Sequence, residues 1–189
     1  MQNRDRPPVN FALAAVALAF SGALALSSGS GWAQRTAPSP AGSLTPHATP
    51  LALPAFRIAS GQGRVLASSD MAGRVTVLNI WATWCGPCLR ELPALDRLQQ
   101  DLGDNVRVLA VSQDEAGDKA VRPYLARLGA SPLEVHYDTK AELASSFRAR
   151  VLPVTVVIDK NGRERARYVG ELDWSAAAPV RFIRQLADD

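Results

Sequence analysis

Two hydrophobic periods alternate along this chain. Val75-Thr76-Val77-Leu78-Asn79-Ile80 and Val106-Arg107-Val108-Leu109-Ala110-Val111 are short, nearly continuous apolar runs and read as buried strands. Between them Leu92, Leu95, Leu98 and Leu102 keep one side of a helix, with Arg90, Asp96, Arg97 and Gln99 largely elsewhere. Pro93 falls inside that helix and is expected to kink it. Val154-Thr155-Val156-Val157-Ile158 is a β-branched strand run. Asp159-Lys160-Asn161-Gly162 turns it into a strand over 165–169, because Asn-Gly favours a tight hairpin. Phe56-Arg57-Ile58 and Val65-Leu66 flank Ser60-Gly61-Gln62-Gly63, which predicts an N-terminal hairpin. A turn or helical turn over 68–73, helices near 117–128, 140–148 and 175–187, and a short strand Val135-His136-Tyr137 complete the pattern. Pro123 should limit or kink its helix, and Ser175 is a candidate cap for the last one.

The N-terminal region follows a different pattern. Arg4 and Arg6 precede an apolar run from Phe11 to Leu26, and small residues follow, ending Gly31-Trp32-Ala33-Gln34. This predicts a signal peptide over 1–33, cleaved after Ala33. The rival is an uncleaved membrane anchor formed by residues 11–26, although that run is shorter than the roughly 20 residues a spanning helix needs. Both place the rest of the chain outside the cytoplasm, in the periplasm. Residues 34–52 hold Pro38, Pro40, Pro46 and Pro50 among Ser, Thr and Ala, and read as a Pro-rich linker with His47 as exposed filler. The folded domain is expected over 53–189.

Composition narrows the function classes. With 47% hydrophobic and 21% charged residues, the chain can build a core. Its net charge of +3 is too mild to argue for nucleic acid. Two cysteines cannot supply a four-cysteine zinc site, and two histidines exclude a His-rich metal site. No metal and no bound cofactor are expected.

The chemistry is expected at the two cysteines, Cys85 and Cys88, separated by Gly86-Pro87 at the point where a strand becomes a helix. In that setting a C-x-x-C reads as a redox motif. The thiolate is the reactive form, and a helix N-terminus favours it through unpaired N–H groups and the positive dipole end. Cys85, at the helix start, is the reachable nucleophile. Cys88, one turn further in, is the buried partner. Pro87 is tolerated because first-turn N–H groups have no intrahelical acceptor. An inert structural disulfide is the weaker alternative, since so small a loop would stabilise the fold little.

Trp84-Cys85-Gly86-Pro87-Cys88 after an apolar strand resembles thioredoxin, and the longer string Leu78 to Leu95 is similar to the exported TlpA/ResA/CcmG family. The resemblance spans about residues 53–187, and Val169 to Ser175 is most similar to the TlpA branch. It implies a thioredoxin-like α/β fold, a mixed central sheet flanked by helices, with the N-terminal β-hairpin as an addition. It also implies a cis peptide at Leu152-Pro153, beside the reactive cysteine, that leaves the preceding backbone free to pair with a substrate peptide. The family often has Thr directly after this proline; here Val154 stands there.

Further roles follow from the same resemblance. Glu91, three residues after Cys88, would exchange a proton with the buried thiol. Thioredoxin places a buried Asp where this chain has Asn79, which cannot carry a proton. Trp84 would form an apolar docking rim with Gly86, Pro87, Leu152 and Pro153, whereas Trp81 and Trp174 read as packing residues and His136 as an ordinary strand residue. The implied activity is thiol–disulfide exchange, as a monomer, reducing protein disulfides of apocytochrome c or of copper-site proteins in oxidase assembly. A membrane electron donor of the DsbD or CcdA kind would recharge it. A general disulfide oxidase and a Cu(I)-binding chaperone remain alternatives. Gly-Pro between the cysteines argues against the first, and the absence of an obvious distant ligand argues against the second.

Overall fold

The computed structural model describes residues 44–60, 65–128 and 133–189. The proposed signal peptide or anchor over 1–33 lies outside the described residues. Strand β4 (Val75–Trp81) is the centre of the fold, and all seven of its residues are buried. It pairs in parallel with β5 (Val106–Ser112) and antiparallel with β7 (Val154–Ile158). Burial on both faces is why these three strands read as continuous apolar runs. Beyond β5 lie β6 (Glu134–Tyr137) and the hairpin of β2 (Arg57–Ser60) and β3 (Val65–Ala67). Beyond β7 lies β8 (Arg163–Val169), which alternates buried and more exposed residues. The eight-stranded order is β1-β8-β7-β4-β5-β6-β2-β3, where β1 is Pro46–Ala52. The structure is thus the expected thioredoxin-like α/β fold, with the expected N-terminal hairpin at one edge.

Strand β1 corrects the end of the linker expected over 34–52, while residues 34–43 of it lie outside the described residues. Pro46, Leu51 and Ala52 pair antiparallel with Ala166, Glu164 and Arg163, with an irregular register between Pro46 and Leu51. Proline is compatible with a strand start and with a bulged edge, where no ladder N–H is required. His47 is likewise no exposed filler. Its Nε2 lies 2.9 Å from Oε1 of buried Glu164, which also takes two hydrogen bonds from Arg167.

Helices cover both faces. On one, α1 (Gly86–Leu102), α2 (Asp118–Leu128) and α4 (Ala177–Asp188) bury Leu92, Leu95, Leu98, Val121 and Ile183 against Val77, Val108 and Ala110. On the other, α3 (Glu142–Ser146) and Phe147 join the hairpin's Phe56, Ile58 and Leu66 over Leu78, Leu109 and Val156. The two parallel crossovers put α1 and α2 on the same face, as right-handed connections between adjacent parallel strands require. Helix α1 continues through Pro93 as one element. The cap of α4 is Ala176, not Ser175; the Ser175 hydroxyl instead donates to Asp173 Oδ1 at 2.5 Å. At the β7–β8 turn, Asp159 Oδ1 accepts the N–H groups of Asn161 and Arg163, and Gly162 takes φ 71°, a conformation that glycine adopts without penalty.

Candidate active site

The cysteines sit where β4 hands over to α1. Cys85 is the N-cap of α1 with an extended backbone, and its sulfur accepts the Cys88 N–H at 3.3 Å. Gly86 and Pro87 occupy the first turn, where missing N–H partners carry no penalty. Cys85 and Cys88 form a disulfide. Cys85 retains 7% exposure and Cys88 none, which matches the expected order of access. Trp84 beside them is 70% exposed.

A buried carboxylate holds the turn that presents Cys85. Asp114, just past β5, accepts the Thr83 N–H at 2.9 Å and the Thr83 hydroxyl at 2.6 Å. The Ser112 hydroxyl, at 2.7 Å, completes its coordination. Three donors on one carboxylate fix the loop against the parallel strand beside it. Nothing in the local pattern around Asp114 marks this role, because its partner lies 31 residues away.

Beneath the motif lies Glu91, 2% exposed. Its Oε1 accepts from Asn79 Nδ2 at 2.7 Å, and its Oε2 from the Leu172 N–H at 3.2 Å and the Trp174 indole N–H at 3.3 Å. Burial pushes its pKa up to about 7, against the pull of those three donors. A carboxyl poised near neutrality, on the same helix face as a buried thiol one turn earlier, is suited to taking and returning a proton. The Asn79 amide also donates to Thr155 Oγ1 at 2.8 Å, so Asn79 links β4, α1 and β7. Trp174 is therefore more than a packing residue: its fully buried ring carries its N–H to the carboxylate.

The third part of the site enters from β7. The Leu152–Pro153 peptide is cis. Val154 pairs with Ile80, so the proline lies at the same end of the sheet as the end of β4. Among the described residues no backbone–backbone hydrogen bond engages Leu152, whereas the Pro153 carbonyl accepts the Gly170 N–H at 2.8 Å. Trp84, just before Cys85, and Val151, just before Leu152, are exposed apolar residues. Cys85, Cys88 and Glu91 share one helix end, and Gly86, Pro87, Leu152 and Pro153 belong to the same end of the sheet. Trp81 is fully buried, as expected. His136 is a buried strand residue with Nε2 2.9 Å from Glu134; it lines a separate cavity of about 320 Å³ with Arg74, Arg107 and Asp70.

Comparison with known proteins agrees with this geometry. The sequence model of the Redoxin family matches residues 48–180. The thiol-disulfide oxidoreductase ResA of Bacillus thuringiensis is 29% identical over 119 residues, covering 62% of this chain and 68% of its own. A Chlorobium tepidum structure provisionally assigned as thiol:disulfide interchange protein DsbE superposes with a TM-score of 0.59 at 27% identity, covering 76% of this chain and 96% of that one. The exposed lipoprotein thioredoxin Etrx1 of Streptococcus pneumoniae superposes with a TM-score of 0.59 at 25% identity, covering 70% of this chain and 99% of that one.

Proposed function

This chain belongs to the Redoxin family and is a thiol-disulfide oxidoreductase of the ResA/DsbE type, and we propose that it works outside the cytoplasm as a reductase of protein disulfides. The observation that carries this reading is the pairing of a buried second cysteine with a buried carboxyl poised near pH 7 on the next turn of the same helix. A dithiol that must finish each turnover by an internal attack benefits from a base beside its buried member.

The steps follow from the burial order. In the dithiol form, the Cys85 thiolate attacks one sulfur of a substrate disulfide. A Cys85–substrate bond forms, the substrate S–S bond breaks, and the other substrate sulfur leaves as a thiolate. Glu91 takes the Cys88 proton. The Cys88 thiolate then attacks Cys85 Sγ, forming the Cys85–Cys88 disulfide and releasing the second substrate thiolate. The substrate gains two electrons and the enzyme loses them, so a dithiol donor must restore it. The exposed rim of Trp84 and Val151 and the unengaged backbone of Leu152 would receive an extended substrate segment.

The finer assignment rests on resemblance. The string from Leu78 to Leu95 and the segment Val169 to Ser175 favour cysteines of apocytochrome c or of an oxidase copper site as substrates, with a DsbD- or CcdA-like membrane protein as donor. Export is supported by the N-terminal pattern over 1–33 and by the likeness to an exposed lipoprotein thioredoxin. The test is capture in the native host. Cys88→Ser should accumulate mixed disulfides with exported proteins, and Cys85→Ser should not. Captured proteins carrying heme-attachment or copper-site cysteines would support the assignment. Equal capture by both variants would overturn the order of attack.

A further inference from the structure

The segment that follows β8 ties the site together. Within six residues, Gly170 donates to the Pro153 carbonyl and Glu171 forms a bidentate pair with Arg90, at 2.6 to 3.1 Å. Leu172 and Trp174 donate to Glu91, and Asp173 turns the chain into α4 by accepting from Ser175. We propose that Trp174 is a positioning residue of the exchange reaction: its indole N–H holds Glu91 in place and favours the ionised carboxylate that accepts the Cys88 proton. This rests on the reading of Glu91 as the base given above.

The geometry supports the assignment from both partners. Trp174 is fully buried, so its N–H has no water to turn to, and Glu91 is the acceptor it meets. Glu91 in turn needs donors, because burial opposes its charge. All three hydrogen bonds to it run inward to the carboxylate, and two of them come from the segment after β8, a strap over residues 170–175. Of the groups packed around Glu91, Asn79 from β4, Thr155 from β7 and Trp174 itself are uncharged. Cys88 lies on its own helix. Glu171 on the strap opposes the Glu91 charge, and its own carboxylate is paired with Arg90. Removing the indole N–H while keeping a ring therefore removes one stabiliser of the anion and adds no new charge.

The test uses the full chain in its oxidised form, which needs no substrate. In the wild type, the Trp174 indole N–H resonance and the Glu91 carboxyl carbon should titrate together, with one midpoint. In Trp174→Phe the Glu91 midpoint should move to higher pH. A Trp174 resonance that ignores the Glu91 titration overturns the proposal even if the variant fails to fold, and so does an unmoved midpoint in a folded variant. In kinetics, resolution of a Cys85 mixed disulfide by Trp174→Phe should be several-fold slower near pH 7 and reach the wild-type rate by about pH 9. A packing role alone would lower stability without moving the pH dependence. A wild-type resolution rate that shows no Glu91 titration, alongside normal resonance behaviour, would instead overturn the reading of Glu91 as the base.

Discussion

The amide nitrogen of Asn79 lies 2.7 Å from Glu91 Oε1 and 2.8 Å from Thr155 Oγ1. A residue that cannot itself carry a proton thus makes the shortest polar contact of the candidate base. Replacing it by an acid tests what that contact does. In Asn79→Asp two carboxyls would share one buried site, and like charges so close raise the pKa of one of them. Resolution of the mixed disulfide should then titrate at a pH roughly one unit or more above the wild type. Rapid-mixing kinetics across pH checks this, and an unchanged profile would show that Asn79 is electrostatically silent.

Glu91→Gln keeps the size and polarity of the side chain and removes the base. Turnover of insulin disulfides should fall about a hundredfold near neutral pH, the usual worth of a positioned base. The loss should shrink as pH rises, since hydroxide can then deprotonate Cys88 directly. Stopped-flow reduction over pH 6 to 10 reads both effects; equal rates throughout would leave Glu91 without a role.

The same carboxyl should also write itself into stability. Its pKa rises from 4.5 to about 7 on folding, so the folded state binds the proton more tightly than the unfolded chain. The sign follows directly. Its stabilisation is fully present below about pH 4.5 and is lost as pH rises through about 7. The shift corresponds to something on the order of 3 kcal/mol. Denaturant unfolding of the oxidised protein should therefore show the wild type losing stability relative to Glu91→Gln between pH 5 and pH 8. A constant difference between the two proteins would contradict the burial-driven shift.

Asp114→Ala should loosen the turn that presents Cys85. It leaves the Thr83 N–H, the Thr83 hydroxyl and the Ser112 hydroxyl without their acceptor. Losing a buried acceptor costs about 1–3 kcal/mol per stranded donor where water cannot enter. A lower unfolding midpoint, with faster alkylation of the reduced Cys85, is the expected pair of results. An unaltered midpoint would show that water replaces the carboxylate.

The redox poise of the pair separates a reductase from an oxidase. Gly86-Pro87 between the cysteines should place the potential near the thioredoxin value of about −270 mV, well below the about −120 mV of DsbA. Equilibration with glutathione measures it, and a value near the upper figure would assign the chain to disulfide formation.

Local features made the active pair legible. Strand β4, helix α1 and the Asp159–Gly162 turn each declare themselves within a few residues, because apolar periodicity, a first-turn proline and Asn-Gly act on the backbone where they stand. Cys85 caps α1, and Cys88 and Glu91 stand three residues apart within it, so spacing places the latter two on one face. The proton-exchange role expected for Glu91 came instead from the resemblance to the TlpA/ResA/CcmG family, because a carboxylate at that spacing is by itself an ordinary helix residue.

The partners of that helix were beyond such rules. Trp174 lies 83 residues from Glu91 in sequence and His47 lies 117 from Glu164, and neither spacing has a period. Strand β1 looked like a linker because an edge strand needs neither a ladder N–H at every position nor an apolar face, so its prolines and exposed side chains carried no strand signal. The sequence by itself determined the chemistry, a dithiol at a helix start. Only the tertiary structure decided how the base is held, because sheet register and the course of the strap after β8 bring Asn79, Leu172 and Trp174 onto one carboxylate.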